Sequence, residues 1–233
     1  MAVKVTTLVD NYVQGGGLIG EHGLCLLVEV PGATVLFDTG QTGVLLHNAR
    51  ALGVDLAAIG TVVLSHGHYD HTGGLPALLG QVGSLEVAAH PAALEPKFAV
   101  EGRTARPIGV TEPRAALEGR GARFTLHASS RQIAPGVIAT GPIPRITDFE
   151  AVDERFRLGP AVTCAHDEVA DDQSLLVETT AGQVLLLGCA HAGLINTLLH
   201  VRALTGRQRL AAVIGGTHLI GASAARLART LDE

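Results

Sequence analysis

Short apolar runs alternate with glycine-rich polar stretches along the whole chain. Val3 to Val9 reads as a strand, followed by a loop containing Gly15-Gly16-Gly17. Leu24 to Val30 and Thr34 to Phe37 flank Pro31-Gly32, the turn chemistry of a hairpin. Val44 to Leu52 places apolar residues at 44, 45, 46, 49 and 52, a helical period that Gly53 ends. Thr61 to Leu64 is short and partly β-branched, which predicts a buried strand. Leu75 to Leu79 begins a short helix, and Leu85 to Ala89 is a further strand.

From Pro91 to about Gly136 the period weakens, predicting short strands and loops, with a mobile segment over the site as one form they could take. Val137 to Ala139 predicts a strand, and the acidic stretch Thr147 to Asp172 predicts loop. Ser174 to Thr179 and Gln183 to Leu187, joined at Ala181-Gly182, predict a second hairpin. Leu194 to Leu204 is helical, Leu210 to Ile214 predicts another buried strand, and Ala222 to Leu231 a last helix. No repeat or linker interrupts the chain, so one domain over residues 1–233 is expected. Early hairpins followed by strand–helix alternation point to a mixed α/β layered sandwich.

Composition narrows the class. Hydrophobic residues make up 47% of the 233 positions and charged residues 17%, enough apolar material for a sizeable core. The formal net charge is −5 and the basic residues are scattered, which argues against a nucleic-acid partner. Lysine occurs only at Lys4 and Lys97; with so much Ala, Gly and Leu this reads as genomic base composition. Cys25, Cys164 and Cys189 are too few and too scattered for a disulfide framework, so a reducing compartment is expected. No signal peptide is visible and no apolar run approaches the ~18 residues of a membrane span. The expectation is a cytoplasmic protein with no membrane partner and a small-molecule substrate; a homo-oligomer stays open.

The chemistry is concentrated in Ser65-His66-Gly67-His68-Tyr69-Asp70-His71-Thr72-Gly73-Gly74. Burying several imidazoles and a carboxylate without an ion or partners is costly, and these are the usual ligands of zinc, iron and manganese. His66 and His68 are spaced i, i+2, so in an extended segment they point the same way and can share one ion. Asp70 and His71, one tight turn on, can serve a second ion ~3.5–4 Å away. Two more strands end alike, in Gly188-Cys189-Ala190-His191 and Gly215-Gly216-Thr217-His218. If these strands share a sheet, their histidines converge along one edge.

Other candidates are weaker. His47, His90, His127, His166 and His200 read as ordinary surface or core residues. Cys189 reads as a small buried thiol. Gly15–Gly17 lacks the lysine and the strand–loop–helix setting of a phosphate loop. Arg145 suits an anionic substrate and a plain surface position equally.

His66-Gly67-His68-Tyr69-Asp70-His71 resembles the HxHxDH signature of the metallo-β-lactamase superfamily, and Asp38 in Leu36-Phe37-Asp38-Thr39-Gly40 matches the aspartate that precedes it there. Asp10-Asn11, Glu21-His22-Gly23, Gly188-Cys189-Ala190-His191 and Gly215-Gly216-Thr217-His218-Leu219 are similar to one branch, the 7,8-dihydropterin-6-yl-methyl-4-(β-D-ribofuranosyl)aminobenzene-5′-phosphate synthases. The resemblance implies a four-layer αβ/βα sandwich with metal at one edge. It implies His66, His68 and His191 on one ion, and Asp70 and His71 on a second. His218 stands near the usual place of a bridging carboxylate. Asp70 also orients the nucleophilic water and protonates the leaving group, and Asp38 braces the histidine loop. Members of the branch continue for some tens of residues to a His-Cys-Thr-Gly segment. Three expectations follow as alternatives: a C-terminally shortened fold, a second site completed by His218, Glu21 or His22, or a second ion that is weak or absent. The cofactor expected is zinc, two ions or one if the second site is incomplete, and iron or manganese also suit the ligands. Glu21 and His22 are otherwise expected to brace the site or touch substrate.

Three functions follow as expectations. The first is a metal-dependent hydrolase of a phosphoester, ester, thioester or amide. The second is a metal-dependent synthase on a phosphorylated ribosyl or pterin substrate. The third is a non-catalytic metal- or ligand-binding remnant of the fold.

Overall fold

The computed structural model describes residues 2–159 and 165–233; Cys164 lies outside them. Two main sheets form. In the first, Lys4–Val9, Cys25–Val30 and Ala33–Phe37 run antiparallel, and Thr61–Val63, Leu85–Ala89 and Ala122–Leu126 continue it in parallel. Parallel neighbours need a crossover. Helices Val44–Ala51, Leu75–Val82 and Arg114–Gly119 lie in the three connections. In the second sheet Arg131–Ala134, Val137–Ala139, Ser174–Thr179 and Gly182–Leu187 are antiparallel, and Ala212–Gly215 adds in parallel after helix Leu194–Thr205.

Strand alternation sorts the apolar residues into layers. Leu26, Val28, Phe37 and Val63 of the first sheet pack on Val137, Leu175, Val177 and Leu186 of the second. On the outer face of the first sheet, Leu27, Leu36, Val62 and Val87 meet Leu45, Leu75, Leu78 and Leu117 from the helices. On the outer face of the second, Leu176, Leu185 and Leu187 meet Val201 and Leu198. The result is helix, sheet, sheet, helix: the four-layer αβ/βα sandwich. Each fully buried Leu or Val contributes roughly 1.5–3 kcal/mol, so these three contact layers supply the main driving force.

A polar residue in the first helix ties down the N-terminal loop. Buried Asn48 donates from Nδ2 to the Leu8 and Ile19 carbonyls, both at 2.7 Å, and accepts from the Ile19 N–H at 2.9 Å.

Two expectations are corrected. The stretch 147–172 is not loop throughout. Phe156–Leu158 and Ala165–His166 join Lys97–Glu101 and Thr104–Pro107 in a small antiparallel sheet with its own core of Ala99, Ile108, Phe156 and Val169. The strand expected to be buried at 210–214 forms as Ala212–Gly215 at the rim of its sheet, with Val213 and Ile214 41% and 39% exposed. An apolar run specifies extended structure, but only its neighbours decide whether it is covered. The last helix, Ala224–Asp232, is capped by the Ser223 hydroxyl and buries none of its residues. Among the described residues no helix is long and apolar enough to cross a membrane.

Candidate metal centre at the sheet edges

The strand ends converge from both sheets. Thr61–Val63 of the first delivers Ser65, His66 and His68, while Gly182–Leu187 of the second delivers Cys189 and His191. Gly188 permits the approach: a Cβ there would lie 2.2 Å from the Ser65 hydroxyl. The imidazole centroids of His66, His68 and His191 are 4.6–4.8 Å apart. Ligand nitrogens of the three lie within 4.8 Å of one another. The Nε2 atoms of all three are buried without a hydrogen-bond partner. Buried polar atoms are rarely left so, and three of them facing one point fit a divalent ion bound by neutral imidazole.

Asp38 sets the tautomers. Its carboxylate accepts from the Ser65 N–H (2.7 Å), the Ser65 hydroxyl (2.7 Å) and His71 Nδ1 (2.6 Å). Ser65 Oγ has one proton and gives it to Asp38. His66 Nδ1, 2.8 Å away, therefore donates to Ser65, and its Nε2 lone pair is left facing the site. Burial, and then the neighbouring imidazoles, pushes His66 well below the usual histidine range. For His68 and His191 burial is again the largest influence, followed by Lys97 and by His68 respectively. His71 is the exception: burial pulls it down, but the Asp38 carboxylate outweighs this and holds it well above that range.

Asp70 and His71 sit on the short helix Tyr69–Thr72 that leaves the cluster. Asp70 Oδ2 lies 3.4 Å from His71 Nε2 and 3.4 Å from His22 Nε2. His218 follows the rim strand, with its ring 4.5 Å from that of His191, and burial lowers its pKa. Cys189, His191 and His218 form a second group with ligand atoms within 4.8 Å. Burial raises the Cys189 thiol, and His71 opposes the rise. Glu21 is committed elsewhere: its carboxylate accepts from the Gln41 and Thr42 N–H groups and the Thr42 hydroxyl. Asp38, Ala190 and His218, three of the four described non-glycine residues with positive φ, cluster here, and such backbone costs of order 1–3 kcal/mol each.

Sequence reasoning missed the underside of the site. Asp171, Asp172 and Gln173 are buried and stitch the two halves together. Asp171 accepts from the Gly67 N–H at 2.6 Å and Asp172 from the Ala192 N–H at 2.6 Å. The Gln173 N–H and amide donate to the Ser65 and Leu64 carbonyls, both at 2.9 Å. Lys97, buried, bonds Asp167 and Asp171 at 2.9 Å each. Burial alone would pull its pKa down, yet the two carboxylates raise it. Glu150 accepts from the Ile195 and Asn196 N–H groups, fixing the start of the helix that follows His191. The available signal was the scarcity of lysine: one of only two lies in this network.

Burial, foremost, raises Asp172 to about 7. Its unfolded value lies near ~3.9, so the folded state binds the proton more tightly and this stability contribution is complete at low pH. The Asp172 contribution to the stability of the metal-stripped protein should therefore fall as pH rises from about 4 to 7, against the opposite slope of buried His66, His68 and His191. Asp172→Asn should thus make stability rise more steeply with pH than in the wild type. Urea midpoints across this range test it; an unchanged slope in the variant would count against it.

A cavity of about 670 Å³ opens over the histidines, lined by His22, Asp70, Arg106, Phe156 and His218 among others. Arg155 there is paired with Asp153 and Glu101, whereas Arg106 forms no ion pair among the described residues.

Comparison with known proteins agrees with this architecture. The family model described as the metallo-beta-lactamase superfamily matches residues 18–228. A Methanocaldococcus jannaschii protein, 7,8-dihydropterin-6-methyl-4-(beta-D-ribofuranosyl)-aminobenzene-5′-phosphate synthase, is 28% identical over 98% of this chain and 82% of its own. An uncharacterized protein of the same organism is 31% identical over 98% of this chain and 84% of its own. The crystal structure of a metal-dependent hydrolase of the beta-lactamase superfamily superposes with a TM-score of 0.83 at 30% identity, covering 99% of this chain and 82% of that one. An N-acyl homoserine lactone lactonase shares the fold at 15% identity and a TM-score of 0.52, over 83% of this chain and 78% of that one. A single family model over residues 18–228 thus takes in the second sheet, all of the first but its opening strand Lys4–Val9, and every histidine gathered between them, and the chain belongs to the metallo-beta-lactamase superfamily.

Proposed function

We propose that this protein is a metal-dependent hydrolase of a small, anionic phosphoester, ester, thioester or amide. The observation that carries the reading is the set of three buried, unpartnered Nε2 atoms of His66, His68 and His191 facing one another. A divalent ion held there, zinc by preference, would supply Lewis acidity and lower the pKa of a water towards ~7. The protein's own groups do the rest. Asp38 and Ser65 keep the His66 Nε2 lone pair available, and Asp38 orients His71. Asp70, at the cavity wall, takes a proton from the attacking water and returns it to the leaving group. Arg106, free of ion pairs among the described residues, faces an anionic group of the substrate, and a phosphate suits it. The free thiols Cys25 and Cys189 suit a reducing compartment such as the cytoplasm.

A synthase acting on a phosphorylated ribosyl or pterin substrate is the second reading, favoured by the 28% identical relative that spans 98% of the chain. One experiment addresses both. Protein stripped with a chelator is reloaded with zinc, manganese or iron and offered phosphoester, thioester, lactone and amide substrates, with products followed by mass spectrometry. Turnover should vanish on stripping and return on reloading. Cleavage products support hydrolysis, and a joined product supports synthesis. Turnover that never exceeds the stripped control would sink the catalytic readings.

A further inference from the structure

We propose that the substrate carries a flat aromatic group beside its anion, and that this group lies in a second cavity, across Arg106 from the histidines. This rests on the reading that the histidine cluster is a catalytic centre. The second cavity, of about 520 Å³, shares two wall residues, Tyr69 and Arg106, with the one over the histidines. Both have the size of sites that take small organic molecules, ~300–1,000 Å³. Aromatic residues are scarce in this chain, which has five Phe, two Tyr and no Trp. Three of those seven, Tyr69, Phe98 and Phe156, line the two cavities.

The small sheet places them. Phe98 pairs with Pro107, and Ala99 pairs with both Arg106 and Phe156; cross-strand partners share a face. Phe98 and Pro107 thus form one face, in the second cavity. Arg106 and Phe156 form the other, towards the histidines, where the Phe156 ring lies 5.0 Å from that of His68. Tyr69 joins the two sides. Its N–H donates to the Ile108 carbonyl at 2.9 Å, and the Arg106 guanidinium carbon stands 5.9 Å from its ring centroid, within cation–π reach. A planar cation is thereby held where the cavities adjoin. The other two cationic wall residues are spent: Arg155 on Asp153 and Glu101, and Lys97 on Asp167 and Asp171. Among the described residues no carboxylate lines the second cavity. Pro96, Phe98 and Pro107 present flat apolar faces, against which the hydroxyls of a sugar would go unpaired. An aromatic ring stacks on such walls, with its anion on Arg106.

The test is binding of two uncleavable probes to the full chain by calorimetry, both metal-stripped and zinc-loaded. 1-Naphthylphosphonate should bind about tenfold tighter than propylphosphonate. Thr111→Trp fills the second cavity from an exposed wall position, and should erase that preference. Phe98→Leu keeps apolar bulk but removes the ring, and should reduce the preference. Arg106→Gln should weaken both probes about tenfold. Thr111 and Arg106 are exposed, so their stripped variants should melt with the wild type. Equal affinity for the two probes, no binding of either, or a preference that survives both Thr111→Trp and Phe98→Leu would overturn the proposal, whatever the loaded protein turns over. The expected preference in a protein that cleaves nothing after reloading would keep the aromatic site and overturn the hydrolase reading instead.

Discussion

Lys97→Ala is expected to destabilise the protein by about 3–5 kcal/mol, the usual effect of stranding buried charge. The ammonium is buried between Asp167 and Asp171 at 2.9 Å each. Removing it leaves two buried carboxylates with no counter-ion. Total stability of a domain is about 5–15 kcal/mol, so the loss is a large fraction of the whole. The change also reaches the candidate metal centre, because the other oxygen of Asp171 holds the Gly67 N–H between His66 and His68. Urea unfolding of the metal-free protein measures the first effect and zinc titration the second. Combining Lys97→Met with Asp167→Asn and Asp171→Asn should recover part of the stability, since an apolar or neutral replacement removes the stranded charge. A loss below about 1 kcal/mol in Lys97→Ala would show that the network is solvated after all.

Asp38→Asn is expected to weaken metal binding about 10–100-fold while leaving the fold intact. Asparagine keeps the volume and tolerates the left-handed backbone of this residue, φ 60°. What it loses is one acceptor oxygen. With the carbonyl on the Ser65 N–H, the amide NH₂ faces Ser65 Oγ and His71 Nδ1. Ser65 Oγ then accepts a hydrogen bond from the amide and turns its own proton towards His66 Nδ1. The His66 proton is driven to Nε2, the atom that should carry the lone pair. His71 loses the carboxylate that keeps its pKa high. Asp38→Ala is the harsher change, since it strands three buried donors at roughly 1–3 kcal/mol each. Competition with a chromophoric chelator gives the affinities; wild-type affinity in Asp38→Asn would break the proposed relay from Asp38 through Ser65 to His66.

These two residues differ in how readable they were. Asp38 ends an apolar run beside a glycine, and its likeness to a known signature drew attention to it. The histidines were visible because each follows a strand and a glycine, a local pattern. Lys97 and Asp171 had no such pattern. Gly67 and Asp171 are 104 residues apart in the chain, and no period links them. The same holds for the small sheet that brings Lys97–Glu101 beside Phe156–Leu158. Its strands are too short and too polar to announce themselves, and their burial comes from one another. The rim strand Ala212–Gly215 erred the other way, since an apolar tetrad looks alike at the centre of a sheet and at its edge.

The histidines come from different sheets, and this has a consequence for how the molecule opens. An ion bound by His66, His68 and His191 would rivet Thr61–Val63 of one half to Gly182–Leu187 of the other, across a seam that apolar packing and the buried hydrogen bonds of Asp171 and Gln173 also close. A ligand that binds only the closed form adds about 2.7 kcal/mol at a hundred times its dissociation constant. Parting of the two halves would break the ion's ligand set, so unfolding of the loaded protein and release of its metal are expected to coincide.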